Sequence, residues 1–149
     1  MRFETGIDID ASPERIWRVM TDVARWPEFL PTVTELEFLG NGQGDGPLGL
    51  GSRVRIKQPG LPVMVWQVTE FTEGDSFAWQ ATSGGVTTVA GHPITPRPGG
   101  GSLLLTIDQS GLPAPLVGLL TGGRTRRYIR TEAKSMKLRC ELDRDSGSR

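Results

Sequence analysis

The chain has 149 residues, with 17 basic and 17 acidic side chains, hence no formal net charge at pH 7, and it contains one cysteine and one histidine. That length suits one domain with a sizeable core, while a lone Cys140 excludes an intrachain disulfide and, with a lone His92, an ordinary zinc site. The near-neutral pI argues against a nucleic-acid partner, and neither a signal-peptide core nor an apolar run of membrane-spanning length is present, which predicts a cytoplasmic protein without an integral membrane segment.

In chain order, Phe3, Thr5, Ile7 and Ile9 alternate with Glu4, Gly6, Asp8 and Asp10, the period of a strand with one buried face. Ser12 is a good N-cap, Pro13 fits the first helical position, and Glu14 suits the helix dipole. Ile16, Trp17, Val19 and Met20 supply that helix's apolar face. Asp22 is placed to cap a second short helix through Val23 and Trp26, and Pro27 is expected to end it by biasing Trp26 out of the helical region.

Strand patterns follow at Leu36–Phe38, Arg53–Lys57, Met64–Val68, Phe77–Ala81, Thr88–Ile94 and Leu103–Ile107, giving seven with the first. Turn signals divide them: the glycine-rich Gly40–Gly51 loop, Pro59-Gly60, Glu73-Gly74, Ser83-Gly84-Gly85, and the breaker cluster Pro96–Gly101. Short strands at regular spacing predict an antiparallel sheet with hairpin connections. No repeat or linker interrupts the pattern, so one domain is expected over residues 1–143, with a disordered tail at 144–149.

From Pro115 to about Leu142 the period becomes helical. Ile129, Ala133, Met136 and Cys140 form one stripe, expected to pack on the sheet, and Gly122-Gly123 is expected to kink or delay the helix. Arg126, Arg130, Lys134 and Lys137 form a neighbouring basic stripe, read as a solvated face. A protein-interaction use of that stripe is the competing reading, and it requires binding that weakens steeply with salt.

The segment ASPERIWRVMTDVARWPEFLPTV resembles the N-terminal signature of the polyketide cyclase/dehydrase and lipid-transport family, in the START-like (SRPBCC) superfamily. GLGSRVRIKQPG, VWQVTEF, FAWQATSGG, GHPITP, LLLTIDQSG and RTRRYIRTEAKSMKLRCEL follow in the matching order, so the resemblance covers nearly the whole chain. It implies an α+β helix-grip fold, in which a seven-stranded curved antiparallel sheet wraps around a long C-terminal helix. Two short helices are implied between strands one and two, and a cavity between helix and sheet. Lipid carriers, cyclases, hormone receptors and chaperone activators share that scaffold, so function must be argued from the site.

The apolar set of the alternating strands forms the expected cavity wall and suits a small hydrophobic or aromatic ligand. Trp66 and Trp79 are candidates to stack on a planar ligand, with core filling as the alternative. His92 is the candidate general base or acid, and otherwise a strand histidine bonded to a neighbour. Tyr128 is a candidate donor to a ligand carbonyl, and Thr125 and Ile129 on the same helix are candidate ligand contacts. Arg124 can hold an acidic group at the cavity mouth or remain solvated. The apolar segment 112–120 can form a lip, and it makes a monomer or weak homodimer the expected state. No Walker loop, G-x-S-x-G or H-E-x-x-H is present, and no cofactor or metal is implied. The primary expectation is cavity binding of a lipid- or polyketide-like molecule. The alternative is a polyketide cyclase or dehydratase acting through His92 or Tyr128.

Overall fold

The computed structural model describes residues 2–40, 47–111 and 114–142, without the side chains of 114–123. Positions 41–46 of the glycine-rich Gly40–Gly51 loop and the side chains of the expected lip at 112–120 lie outside the described residues, as does the tail 144–149. Strand β1 (Arg2–Ile9) leads to helix α1 (Pro13–Thr21), whose start follows from its cap. Ser12 Oγ accepts the Arg15 N–H at 3.1 Å, and Pro13 sits where a missing N–H costs nothing. The buried face of α1 is Ile16, Trp17, Val19 and Met20, as the spacing predicts.

A 3-10 turn at Val23–Arg25 runs directly into α2 (Trp26–Phe29), which corrects the reading of Pro27. Trp26 is helical at φ −54° and ψ −41°, so Pro27 occupies the first turn of α2 instead of terminating a helix. The Trp26 indole N–H donates to the Met20 carbonyl at 3.1 Å, which holds the ring inward against the backbone preference set by the proline. Asp22 makes no side-chain cap, and its carboxylate pairs with Arg25 at 3.2 Å.

The remaining strands are β2 (Glu35–Gly40), β3 (Arg53–Lys57), β4 (Met64–Thr72), β5 (Ser76–Ser83), β6 (Val86–Gly91), β7 (Ile94–Arg97) and β8 (Gly100–Ser110). They form an eight-stranded antiparallel sheet in the order β1-β8-β6-β5-β4-β3-β2, with β7 also paired to β8. The sequence predicts one strand where β6 and β7 stand. Both pair with β8, Gly91 opposite Thr106 and Ile94 opposite Leu103, and the break falls at His92-Pro93. Pro93 has no N–H for the ladder, and the His92 N–H turns to the Phe77 carbonyl at 3.0 Å.

Helix α3 (Ala114–Leu142) lies on the concave face. It begins at Ala114 and continues through Gly122-Gly123, so the delay expected there does not occur. Ile129, Ala133, Met136 and Cys140 are all buried, and the flanks are tied by Arg126 over the Phe3 ring at 5.2 Å and by Lys137 Nζ donating to the Asp8 carbonyl at 3.1 Å. No described helix is long and apolar enough to cross a membrane.

Close approach of backbone requires glycine at Gly100 and at Gly111. Gly111, just after β8, has φ +121°, and a Cβ there meets the Gly85 carbonyl oxygen of the β5–β6 turn at 2.1 Å. Gly111→Ala combines backbone strain with a backbone clash. It is expected to cost about 2–3 kcal/mol, read as a lower urea midpoint at unchanged slope.

Candidate functional site

The inner face of the sheet is long, and its two ends differ. At one end, α1 and α2 drive aromatic rings into the concavity. Trp26 meets Trp79 edge-on at 5.4 Å between ring centres, Trp17 meets Phe71 at 5.4 Å, and Phe77 meets Trp79 at 5.3 Å. At the other end, marked by the β3–β4 and β5–β6 turns, a cavity of about 330 Å³ remains between the sheet and α3.

Leu61, Pro62, Met64 and Trp66 form one wall of the cavity, and Val86, Thr88, Ile107 and Gln109 form its floor on β6 and β8. Thr88 and Gln109 are direct cross-strand partners, so a hydroxyl and an amide stand side by side on the apolar floor. Thr125, Tyr128 and Ile129 close the cavity from α3, with Arg124 at its edge. The balance, apolar walls with a few convergent polar groups, is that of a small-molecule site.

The mouth is fastened by hydrogen bonds from α3. The Tyr128 hydroxyl donates to the Pro59 carbonyl, and Arg124 Nη1 donates to the Gly60 carbonyl at 3.2 Å. Gly60 has φ +77° and brings its backbone against the Arg124 guanidinium, which a larger residue would obstruct. Lys57 Nζ reinforces this turn by donating to the Leu61 carbonyl at 2.7 Å.

Of the residues singled out from sequence, Trp66, Thr125, Tyr128 and Ile129 lie together on the cavity. Trp79 and His92 are not among its lining residues. Trp79 is 3% exposed and stands between the two ends, 5.8 Å from Trp66 and 5.9 Å from His92. His92 lies at the far end, stacked on Phe77 at 4.3 Å and 15°. Its Nδ1 lies 3.1 Å from the Phe77 carbonyl, an acceptor that fixes the neutral tautomer with the proton on Nδ1. Burial depresses the His92 pKa from 6.5 to about 4, against the weaker upward pull of that hydrogen bond.

Glu132 is a group that the patterning did not flag. It is one turn beyond Tyr128 on α3, and Thr32 Oγ1 donates to its Oε1 at 3.2 Å. Although part of the side chain reaches solvent, burial raises its carboxyl pKa from 4.5 to about 7, opposed by the Thr32 hydrogen bond. Its signal in the sequence is an acid at spacings of three and four from Ile129 and Tyr128, on the flank of the apolar stripe. Gln58, Ser83 and Gln109 also line the cavity and were unflagged, because each sits at a strand end or turn where alternation is lost. No cluster of potential metal ligands occurs among the described residues.

The family model described as "Polyketide cyclase / dehydrase and lipid transport" matches residues 1–141. Among curated proteins, none matches this chain. Among solved structures, the fold is similar to the Zhui aromatase/cyclase from Streptomyces sp. R1128, with a TM-score of 0.76 at 16% identity over 96% of this chain and 94% of that one. It is also similar to norcoclaurine synthase from Thalictrum flavum, with a TM-score of 0.73 at 17% identity over 97% and 96%. A START superfamily protein from Mycobacterium smegmatis matches with a TM-score of 0.73 at 19% identity over 95% and 97%. At these identities the likeness is one of fold.

Proposed function

This chain belongs to the polyketide cyclase/dehydrase and lipid transport family, and we propose that it binds a small hydrophobic or aromatic molecule, lipid- or polyketide-like, between α3 and the sheet. The observation that carries this reading is the 330 Å³ cavity, with Trp66, Met64 and Ile129 as apolar surfaces and Thr88, Gln109 and Thr125 as polar groups. Trp66 offers a flat face for a ring, and the neutral polar groups orient a ligand hydroxyl or carbonyl. Among the described residues Arg124 is the one charged group in the lining, and it is already bonded to the Gly60 carbonyl, which favours a neutral ligand.

The alternative is cyclisation or dehydration of a poly-β-keto chain, the class of activity named in the family description and in the Streptomyces relative. That chemistry needs a base and a donor converging on the substrate. What supports binding over turnover is that His92 lies among Phe77, Trp79 and Trp26, outside the lining, and that the Tyr128 hydroxyl is engaged with the Pro59 carbonyl. Tyr128 keeps this alternative open only where a substrate displaces the Pro59 carbonyl.

A neutral, polarity-sensitive naphthalene dye tests the reading. The expected result is saturable binding of one dye per chain, weakened at least about tenfold by Thr125→Trp, which fills the cavity from the helix side at an overpacking cost of about 1–3 kcal/mol. Circular dichroism confirms that the variant is folded. Unsaturable binding, or equal affinity in the folded variant, overturns the proposal.

A further inference from the structure

A second concavity, a cleft of about 450 Å³, opens at the α1 end of the sheet, between α1, the 3-10 turn, β2 and the end of β4. It shares no lining residue with the cavity beside α3. A chain of rings stands between the two. Trp17, which lines the cleft, is 6.4 Å from Phe77, Phe77 is 5.3 Å from Trp79, and Trp79 is 5.8 Å from Trp66, which lines the cavity.

The walls of the cleft are largely apolar. Trp17 and Leu48 are buried, and Phe38 and Phe71 are half-buried. Phe38 is the cross-strand partner of buried Val54, and Phe71 of buried Phe77, so both rings stand on the inward face of the sheet. Trp17 meets Phe71 edge-on at 5.4 Å, which gives the floor a fixed shape.

Three charged residues complete the lining: Arg18, Asp22 and Glu73. Asp22 is neutralised by Arg25 at 3.2 Å. Arg18 is exposed, and neither it nor Glu73 makes an ion pair among the described residues, with the other or with any third group. Glu73 is nevertheless held. Its Oε1 accepts the Trp17 indole N–H at 3.1 Å, while Oε2 has no partner among the described residues. The cleft thus offers one unserved guanidinium, one positioned carboxylate and an aromatic floor. A purely cationic or purely anionic ligand satisfies only one of the two charges. A ligand seated on the rings draws its charged ends out of bulk water, where pairing with both groups counts for more.

We infer that this cleft binds a small zwitterion with an apolar side chain, the chemical class of the aromatic and large aliphatic α-amino acids. Glu73 takes the ammonium group, Arg18 takes the carboxylate, and Trp17, Phe38 and Phe71 take the side chain. The assignment does not rest on what occupies the cavity beside α3.

The test is calorimetric titration of the full chain with L-phenylalanine and with two analogues, phenethylamine, which lacks the carboxylate, and 3-phenylpropionate, which lacks the ammonium. Saturable binding of one L-phenylalanine per chain is expected, with each analogue about tenfold weaker. Arg18→Gln is expected to lower the affinity for L-phenylalanine to that for phenethylamine, and Glu73→Gln to lower it to that for 3-phenylpropionate. Arg18 has no ion pair to lose, and Glu73→Gln keeps a carbonyl acceptor for the Trp17 indole, so both variants are expected to fold, which circular dichroism checks. Heats that do not saturate, equal affinity for all three compounds, or unchanged affinity in either folded variant overturns the inference. Dye binding in the cavity is expected to be unaffected by L-phenylalanine, so failure of one reading is distinguishable from failure of the other.

Discussion

Substitution of His92 and substitution of Glu132 are expected to tilt the stability–pH profile in opposite directions. The folded chain holds His92 at a pKa of about 4, against 6.5 for an ordinary histidine. Between those values the unfolded chain binds a proton that the folded chain refuses, so stability is present above pH 6.5 and is lost as the pH falls toward 4. Glu132 behaves in the reverse sense, with a folded pKa of about 7 against an ordinary 4.5. Between those values the folded chain keeps a proton that the unfolded chain has released, so stability is present below pH 4.5 and is lost as the pH rises to 7. Each shift corresponds to about 3 kcal/mol.

In the shared window from pH 4.5 to 6.5 the two slopes cancel. His92→Phe removes the acid-side loss and leaves a profile that falls with rising pH up to 7. Glu132→Gln keeps an acceptor for Thr32 Oγ1 and leaves a profile that falls with acid below 6.5. Urea titrations at pH 4.5, 5.5, 6.5 and 7.5 measure this, because all other titrating groups are shared and drop out of the differences. Parallel profiles for the two variants and the parent chain contradict the burial assigned to both groups.

Trp79→Ala is expected to be the most destabilising of the aromatic truncations, at about 3–5 kcal/mol. Trp79 is 3% exposed and contacts Trp26, Trp66, Phe77 and His92, so its removal takes the central ring from the aromatic cluster. With about 5–15 kcal/mol available to a typical domain, that loss is a large fraction of the whole. A fall in the urea midpoint with unchanged slope is the expected reading. A cost below about 1 kcal/mol contradicts the central packing role of this ring. Trp66→Ala is the paired measurement. Trp66 faces the cavity, so its removal is expected to weaken dye binding directly, whereas Trp79→Ala acts through stability.

Much of this architecture was legible from residue pattern. Period two assigned β1 through β5 and the buried faces of Val54, Ile56, Trp66 and Val68, while Ser12 and Pro13 marked the start of α1. The helical stripe Ile129, Ala133, Met136 and Cys140 was placed on the core. Local chemistry decided each of these, since alternation and capping involve neighbours in sequence. Pro27 was misread for a related reason. The preference it imposes on Trp26 is local and modest, and burial of the indole with its bond to the Met20 carbonyl outweighs it.

What only the tertiary structure decided is position along the sheet. Alternation puts Thr88, Ala90 and His92 on one face, and all three are buried. It carries no information on which end of that face stays open. Thr88 lies on the cavity and His92 lies under Trp26, because α1 and α2 help fill one end of the concavity while at the other end the cavity remains between the sheet and α3. The same holds for Glu132, whose partner Thr32 is 100 residues away, and for Arg139 beside Arg25. A period reports the face on which a side chain stands, whereas packing, hydrogen bonding and charge proximity depend on which distant elements meet there. That is why the strands and helices could be read from the chain, with the helix-grip scaffold implied by the family resemblance, while the boundary between core and cavity could not.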